Sequence, residues 1–79
     1  MPYDRSERKN HFLMMLYQME KRVAECEADN SKDDAFRQEQ VTFHQELADG
    51  YMQGLLEFFS QDELNKMRKE LRKHVRKLT

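Results

Sequence analysis

Seventy-nine residues make one domain at most, 1–79, and a chain this short buries only about 60% of its extended surface, which excludes a two-domain enzyme. Apolar types form 38% of the chain and charged types 37%, with a formal net charge of −1, so global charge names no partner. The single cysteine, Cys26, rules out an internal disulfide and a thiolate zinc cluster, and a reducing cytoplasm is the expected location.

The stretch Met1–Lys9 is charged, and the longest apolar run is Phe12–Tyr17, so neither a signal peptide nor a membrane span is expected. A first helix is predicted over about 5–28, with Asp4 or Ser6 as N-cap and Glu7 in the first turn. Phe12, Leu16, Met19, Val23 and Cys26 step by four and three along it. Leu13, Met15 and Tyr17 widen that stripe on both sides, while Met14 lies off it.

The segment 29–34 is short, polar and rich in residues that bond their own backbone, which reads as the turn of a helical hairpin. Ser31 or Asp33 is the expected cap of a second helix over about 34–59. Two apolar stripes run side by side along it. One holds Phe36, Phe43, Leu47, Tyr51, Leu55 and Phe58; the other holds Val41, Ala48, Met52, Leu56 and Phe59. Between Leu47 and Phe59 only Asp49, Gln53 and Glu57 are clearly polar, so this half-helix is expected to be central. Gly50 and Gly54 stand one turn apart within it, each costing about 1 kcal/mol of helix propensity against Ala. Close approach of another helix would offset that cost.

Ser60-Gln61-Asp62-Glu63 matches the S-x-x-E capping box and predicts a third helix over about 61–77, with Leu64, Met67, Leu71, Val75 and Leu78 on its apolar side. Charge is strongly segregated. Residues 28–61 hold seven acids against two bases, net −5, and residues 62–79 hold seven bases against three acids, net +4. The acids Asp62 and Glu63 open the third helix and the bases follow, which complements the helix dipole.

No glycine-rich phosphate loop, H-E-x-x-H pair or Cys-x-x-Cys is present. His11, His44 and His74 fall one on each helix, and Glu20, Glu46 and Glu57 lack the Glu-x-x-His partners of bridged-metal bundles. No enzymatic activity, cofactor or metal site is therefore expected. The reading is an all-α protein, a helical hairpin plus a third basic helix, forming a compact three-helix bundle or half of a dimeric bundle. A homodimer is expected, with the second helices near the symmetry axis and Gly50, Gly54 and Leu55 at the contact.

The expected function is that of a small protein-binding regulator or adaptor. Its apolar surface would comprise Met14, Met15, Tyr17, Met52, Leu56 and Phe59, since flexible thioethers suit a surface that accepts a partner. Lys69, Arg72, Lys73 and Arg76 would steer an acidic protein partner. The alternative is a nucleic-acid accessory protein that lays this basic helix along phosphates, although the basic segment has no aromatic residue for stacking. The basic helix also lacks a Trp or Phe to anchor it at a membrane surface.

Overall fold

A computed structural model describes residues 4–31 and 33–78. Met1–Tyr3 of the charged N-terminal stretch, Lys32 of the polar turn and the terminal Thr79 lie outside the described residues. Three helices form: α1 (Arg5–Ala28), α2 (Asp34–Leu55) and α3 (Gln61–Leu78). Each begins at a side-chain cap that satisfies a backbone N–H otherwise without a helical partner. The Asp4 carboxylate accepts from the Glu7 amide, and Asp33 accepts from the Phe36 amide at 2.7 Å. At α3 the capping box is complete: the Glu63 amide donates to Ser60 Oγ at 3.2 Å and the Ser60 amide donates to Glu63 Oε1 at 3.1 Å.

The core sits between all three helices. Leu16 of α1, Ala48, Met52 and Leu55 of α2 and Leu64 of α3 are buried together, with Phe12, Leu13, Met19, Tyr51, Phe58, Phe59, Met67 and Leu71 packed around them. Val23 and Ala24 of α1, Val41 of α2 and Val75 of α3 extend the buried set toward the hairpin end. Of the two apolar stripes on α2, the one through Val41, Ala48 and Met52 makes the core, joined by Leu55. The stripe through Phe36, Phe43 and Leu47 is left largely at the surface.

Two expectations are corrected. The helix common to the main packing interfaces is α1, which lies against both α2 and α3, so the second half of α2 is not the central element. The second helix also ends at Leu55, four residues before the predicted Phe59. Residues 56–59 instead wind through a turn in which the Phe58 and Phe59 amides both reach the Leu55 carbonyl, at 2.9 and 3.1 Å. This turn swings Phe58 and Phe59 under the N-terminal end of α1. Arg5 and Arg8 lie over the Phe58 ring, and Lys9 lies over Phe59. Arg5 also donates to the Glu57 carbonyl at 2.9 Å, while Arg8 grips the Glu57 carboxylate at 2.6 Å. Continuing the helix would have carried both aromatic rings away from these cations.

The two glycines have different environments. A Cβ built on Gly54 would stand 2.9 Å from the Phe12 ring, so a larger residue there would make the ring shift. A Cβ on Gly50 would meet nothing within 4 Å.

Replacing Ser60 by Ala is expected to cost about 1 kcal/mol in denaturant unfolding, through loss of the N-cap bond. Accepting the Ser60 backbone and hydroxyl bonds holds the Glu63 carboxyl below its ordinary pKa. Its contribution to stability is therefore present above the unfolded-state value and is lost as pH falls through the folded value, so Glu63→Gln is expected to flatten the acid limb of a stability-against-pH profile. Gly50→Ala is expected to stabilise the chain in dilute solution by about 1 kcal/mol. Gly54→Ala is expected to gain less, because Phe12 must move and the site is at the helix end.

Candidate protein-interaction surface

The placement of α3 on the hairpin is governed by a buried carboxylate. Glu20 occupies the core side of α1 between Leu16 and Val23 and is only 2% exposed. Its Oε1 accepts from Arg68 Nε at 2.7 Å and its Oε2 accepts from Arg72 Nε at 3.0 Å. Arg68 donates in addition from Nη1 to Asp49 of α2 at 2.7 Å, so one guanidinium joins all three helices. Burial works against the charged form of Arg68, but its hydrogen bonds to Asp49 and Glu20 prevail and raise its pKa further. One turn beyond, Arg76 stands 3.8 Å from Glu27 of α1.

Docked in this register, α3 leaves an open apolar groove against α1, with a volume of about 570 Å³. Leu13 and Leu16 of α1 face Met67 and Leu71 of α3 across it, and Lys66, Glu70 and His74 complete its α3 side. The Tyr17 and His74 rings, 6.2 Å apart, connect the two helices along the same face. On α1 the neighbouring Met14 is 55% exposed.

The bases of α3 divide by residue type. Arg68, Arg72 and Arg76 form one row, spaced by four, and turn toward carboxylates of α1 and α2. Lys66, Lys69, Lys73 and Lys77, spaced by three, four and four, form a separate exposed row on the same helix. No ion pair within the described residues engages these lysines.

The residues singled out from sequence are thus dispersed. Tyr17 adjoins the groove through His74, whereas the exposed Met14 and the half-buried Met15 do not line it. Met52 and Leu55 are buried in the chain's own core, so neither offers surface to a partner or to a second copy. Leu56 is partly exposed at the α2–α3 turn, and Phe59 packs on the core beneath Lys9. Among the four predicted basic residues, Lys69 and Lys73 are exposed on the lysine row, whereas Arg72 holds Glu20 and Arg76 reaches Glu27. Leu13, Met67 and Leu71, which make the groove, were assigned to core stripes by their spacing. The role of Glu20 was missed, although a carboxylate four residues after Leu16 and three before Val23 lies on a core line and requires a cationic partner.

The three histidines remain apart. His44 Nδ1 lies 2.8 Å from the Gln40 carbonyl, His74 neighbours Tyr17, and His11 lies beside Phe12. Among the described residues no group of three or more His, Cys, Asp or Glu is arranged to hold a metal, and no helix is long and apolar enough to cross a membrane. Cys26 is half-buried near Arg22, Glu25 and Asp29, and its thiol pKa is raised, chiefly by burial and then by the neighbouring acids. No protein-family model matches this sequence, and no match is found among curated proteins or solved structures.

Replacing Glu20 by Ala is expected to cost about 1–3 kcal/mol, because Arg68 and Arg72 lose their shared carboxylate while Arg68 keeps Asp49. Amide exchange should then show α3 losing protection ahead of the hairpin. Replacing Glu20, Arg68 and Arg72 together by apolar residues of similar volume is expected to recover most of that loss.

Proposed function

We propose that the protein is a non-enzymatic binding module that accepts an amphipathic helix of acidic character from another protein. The observation that carries this reading is the α1–α3 groove, where Leu13, Met67 and Leu71 are partly open above the buried Leu16, beside a row of lysines that begins at Lys66. An amphipathic helix presents apolar side chains at spacings of three and four, which suits a trough between two helices. Methionine on one wall adapts to side chains of varied shape. The lysine row favours acidic residues on the partner's polar side and hastens encounter at low salt. Such a protein acts as a regulator or adaptor, and the cytoplasm suits its single free thiol.

A second reading is supported by the lysine row alone, which can lie along a nucleic-acid backbone. The two readings separate by mutation. A phosphate-binding surface loses affinity when the lysines change and is indifferent to the groove, whereas helix binding needs both.

The test is fluorescence anisotropy with a labelled acidic amphipathic helical peptide, its charge-reversed counterpart and a random-sequence oligonucleotide duplex. The expected result is binding of the acidic peptide that Met67→Glu abolishes while far-ultraviolet circular dichroism stays unchanged. Changing Lys66, Lys69, Lys73 and Lys77 to Ser should weaken it and reduce its salt dependence. Duplex binding that survives Met67→Glu, together with failure of the acidic peptide to bind, would replace the first reading with the second.

A further inference from the structure

The outward side of α2 and the α1–α3 groove are charged in opposite senses. On α2, Glu39, Phe43 and Leu47 follow at intervals of four, and Glu46 stands one turn from Phe43. Phe43 is 54% exposed and Leu47 40% exposed. The hollow beside Phe43 is lined by α2 residues alone, Ala35 to Glu46, so it faces away from the other two helices. Its charged residues, Glu39 and Glu46, are both acids, and no ion pair among the described residues engages either. Arg37, the single Lys or Arg of α2, is turned to the Asp34 carboxylate and the Asp29 carbonyl at the hairpin turn. The groove is charged the other way. Lys66 and His74 line it, Lys69 and Lys73 stand on the adjoining row, Glu70 is the one acid in the lining, and α1 contributes leucines only.

We infer, on the reading of the groove given above, that its occupants include this chain itself: α2 of a second copy lays Phe43 and Leu47 in the groove, with Glu39 and Glu46 against Lys66 and Lys73. Charge complementarity selects this occupant. Glu39 and Glu46 are seven residues apart, as are Lys66 and Lys73, and on a helix that spacing is close to two turns and about 10 Å of rise. The acids therefore meet the bases at matched intervals along the two helices. Within one chain the acidic α2 and the basic α3 are bridged by Asp49 and Arg68, which leaves Glu39, Glu46 and the lysine row directed outward.

Pairing of like surfaces lacks this match. The α2 surface set against itself brings only acids together, and groove set against groove brings the lysine rows together. A net charge of −1 leaves little overall repulsion between copies. The two surfaces share no residue, so one copy uses both at once. The contact is heterologous: each docked copy leaves one groove and one α2 surface open, and growth continues beyond a pair. Self-docking also competes with an acidic helix of another protein, which makes the groove less available as the chain becomes concentrated.

Sedimentation velocity from low micromolar to millimolar chain at low salt is expected to show a mass that rises past the dimer, and raised salt should return it toward the monomer. Phe43→Lys and Met67→Glu are each expected to give monomers with circular dichroism unchanged. An equimolar mixture of the two should form a pair that grows no further, because it holds one kind of intact groove and one kind of intact α2 surface. Charge reversal tests the same contact without touching the apolar residues. Glu39→Lys with Glu46→Lys should weaken association about tenfold, and adding Lys66→Glu and Lys73→Glu to the same chain should restore it. A monomer at every concentration would overturn the inference. So would association that survives Phe43→Lys or Met67→Glu alone, a mixture that does not pair, or a fourfold charge reversal that does not recover. The labelled acidic peptide separates this inference from the function proposed above: if the peptide binds the groove while the chain stays monomeric, self-docking alone falls, and if neither occurs, both fall.

Discussion

The carboxylate of Glu20 constrains everything built around it. A carboxylate with almost no access to solvent must be met by cations, and among the described residues these come from α3. The apolar contribution of α3 is small: Leu64 and Val75 are fully enclosed, while Met67 and Leu71 are partly open. Sliding such a helix along α1 by one turn would exchange one set of aliphatic contacts for another at modest cost. It would also strand Glu20. The ion pairs therefore act chiefly on register and orientation, a role that buried charges fill better than they fill net stabilisation. The groove accompanies that register, since the same docking that seats Arg68 and Arg72 leaves Leu13, Met67 and Leu71 only partly covered.

Arginine and lysine are not interchangeable on α3. The planar guanidinium of Arg68 serves two carboxylates on different helices at once, from Nε and Nη1, which a single ammonium on a flexible stem does less well. Lysine keeps its hydration and its mobility on the outward row. Net charge over residues 62–79 treats the two as one basic surface, whereas the fold gives them different tasks. Much of the apparent basicity of the helix is spent within the chain, and the part available to a partner is the lysine row.

The helix starts were legible because capping is local chemistry. Asp4, Asp33 and the Ser60–Glu63 pair lie within three residues of the amides they serve, so composition and spacing suffice. All three elements and the all-α class followed from those caps and from the apolar periodicity. The end of α2 was less accessible, because Leu55 to Phe59 is apolar except for Glu57 and the cations that meet Glu57, Phe58 and Phe59 are Arg5, Arg8 and Lys9, about fifty residues earlier. The two α2 stripes posed a similar difficulty. Periodicity finds both, but only the position of α1 decides which is enclosed, and this moved Met52 and Leu55 inward while leaving Phe43 and Leu47 outside. Glu20 was hidden for a different reason: counting apolar residues steps over a carboxylate lying on the same line.

The separation in sequence between Glu20 and its partners also sets an order on assembly. Arg68 and Arg72 follow Glu20 by 48 and 52 residues, and the Arg5–Glu57 clamp closes across another 52. During synthesis from the N-terminus, α1 and α2 are complete while Glu20 still lacks both cations. The hairpin at that stage carries an unneutralised carboxylate in the middle of the face that will become its core, and hydration of that group opposes tight closure. Final packing must wait for the chain beyond residue 72. The third helix is thus the one that releases the first from solvent, and a nascent hairpin is kept loose until α3 follows it.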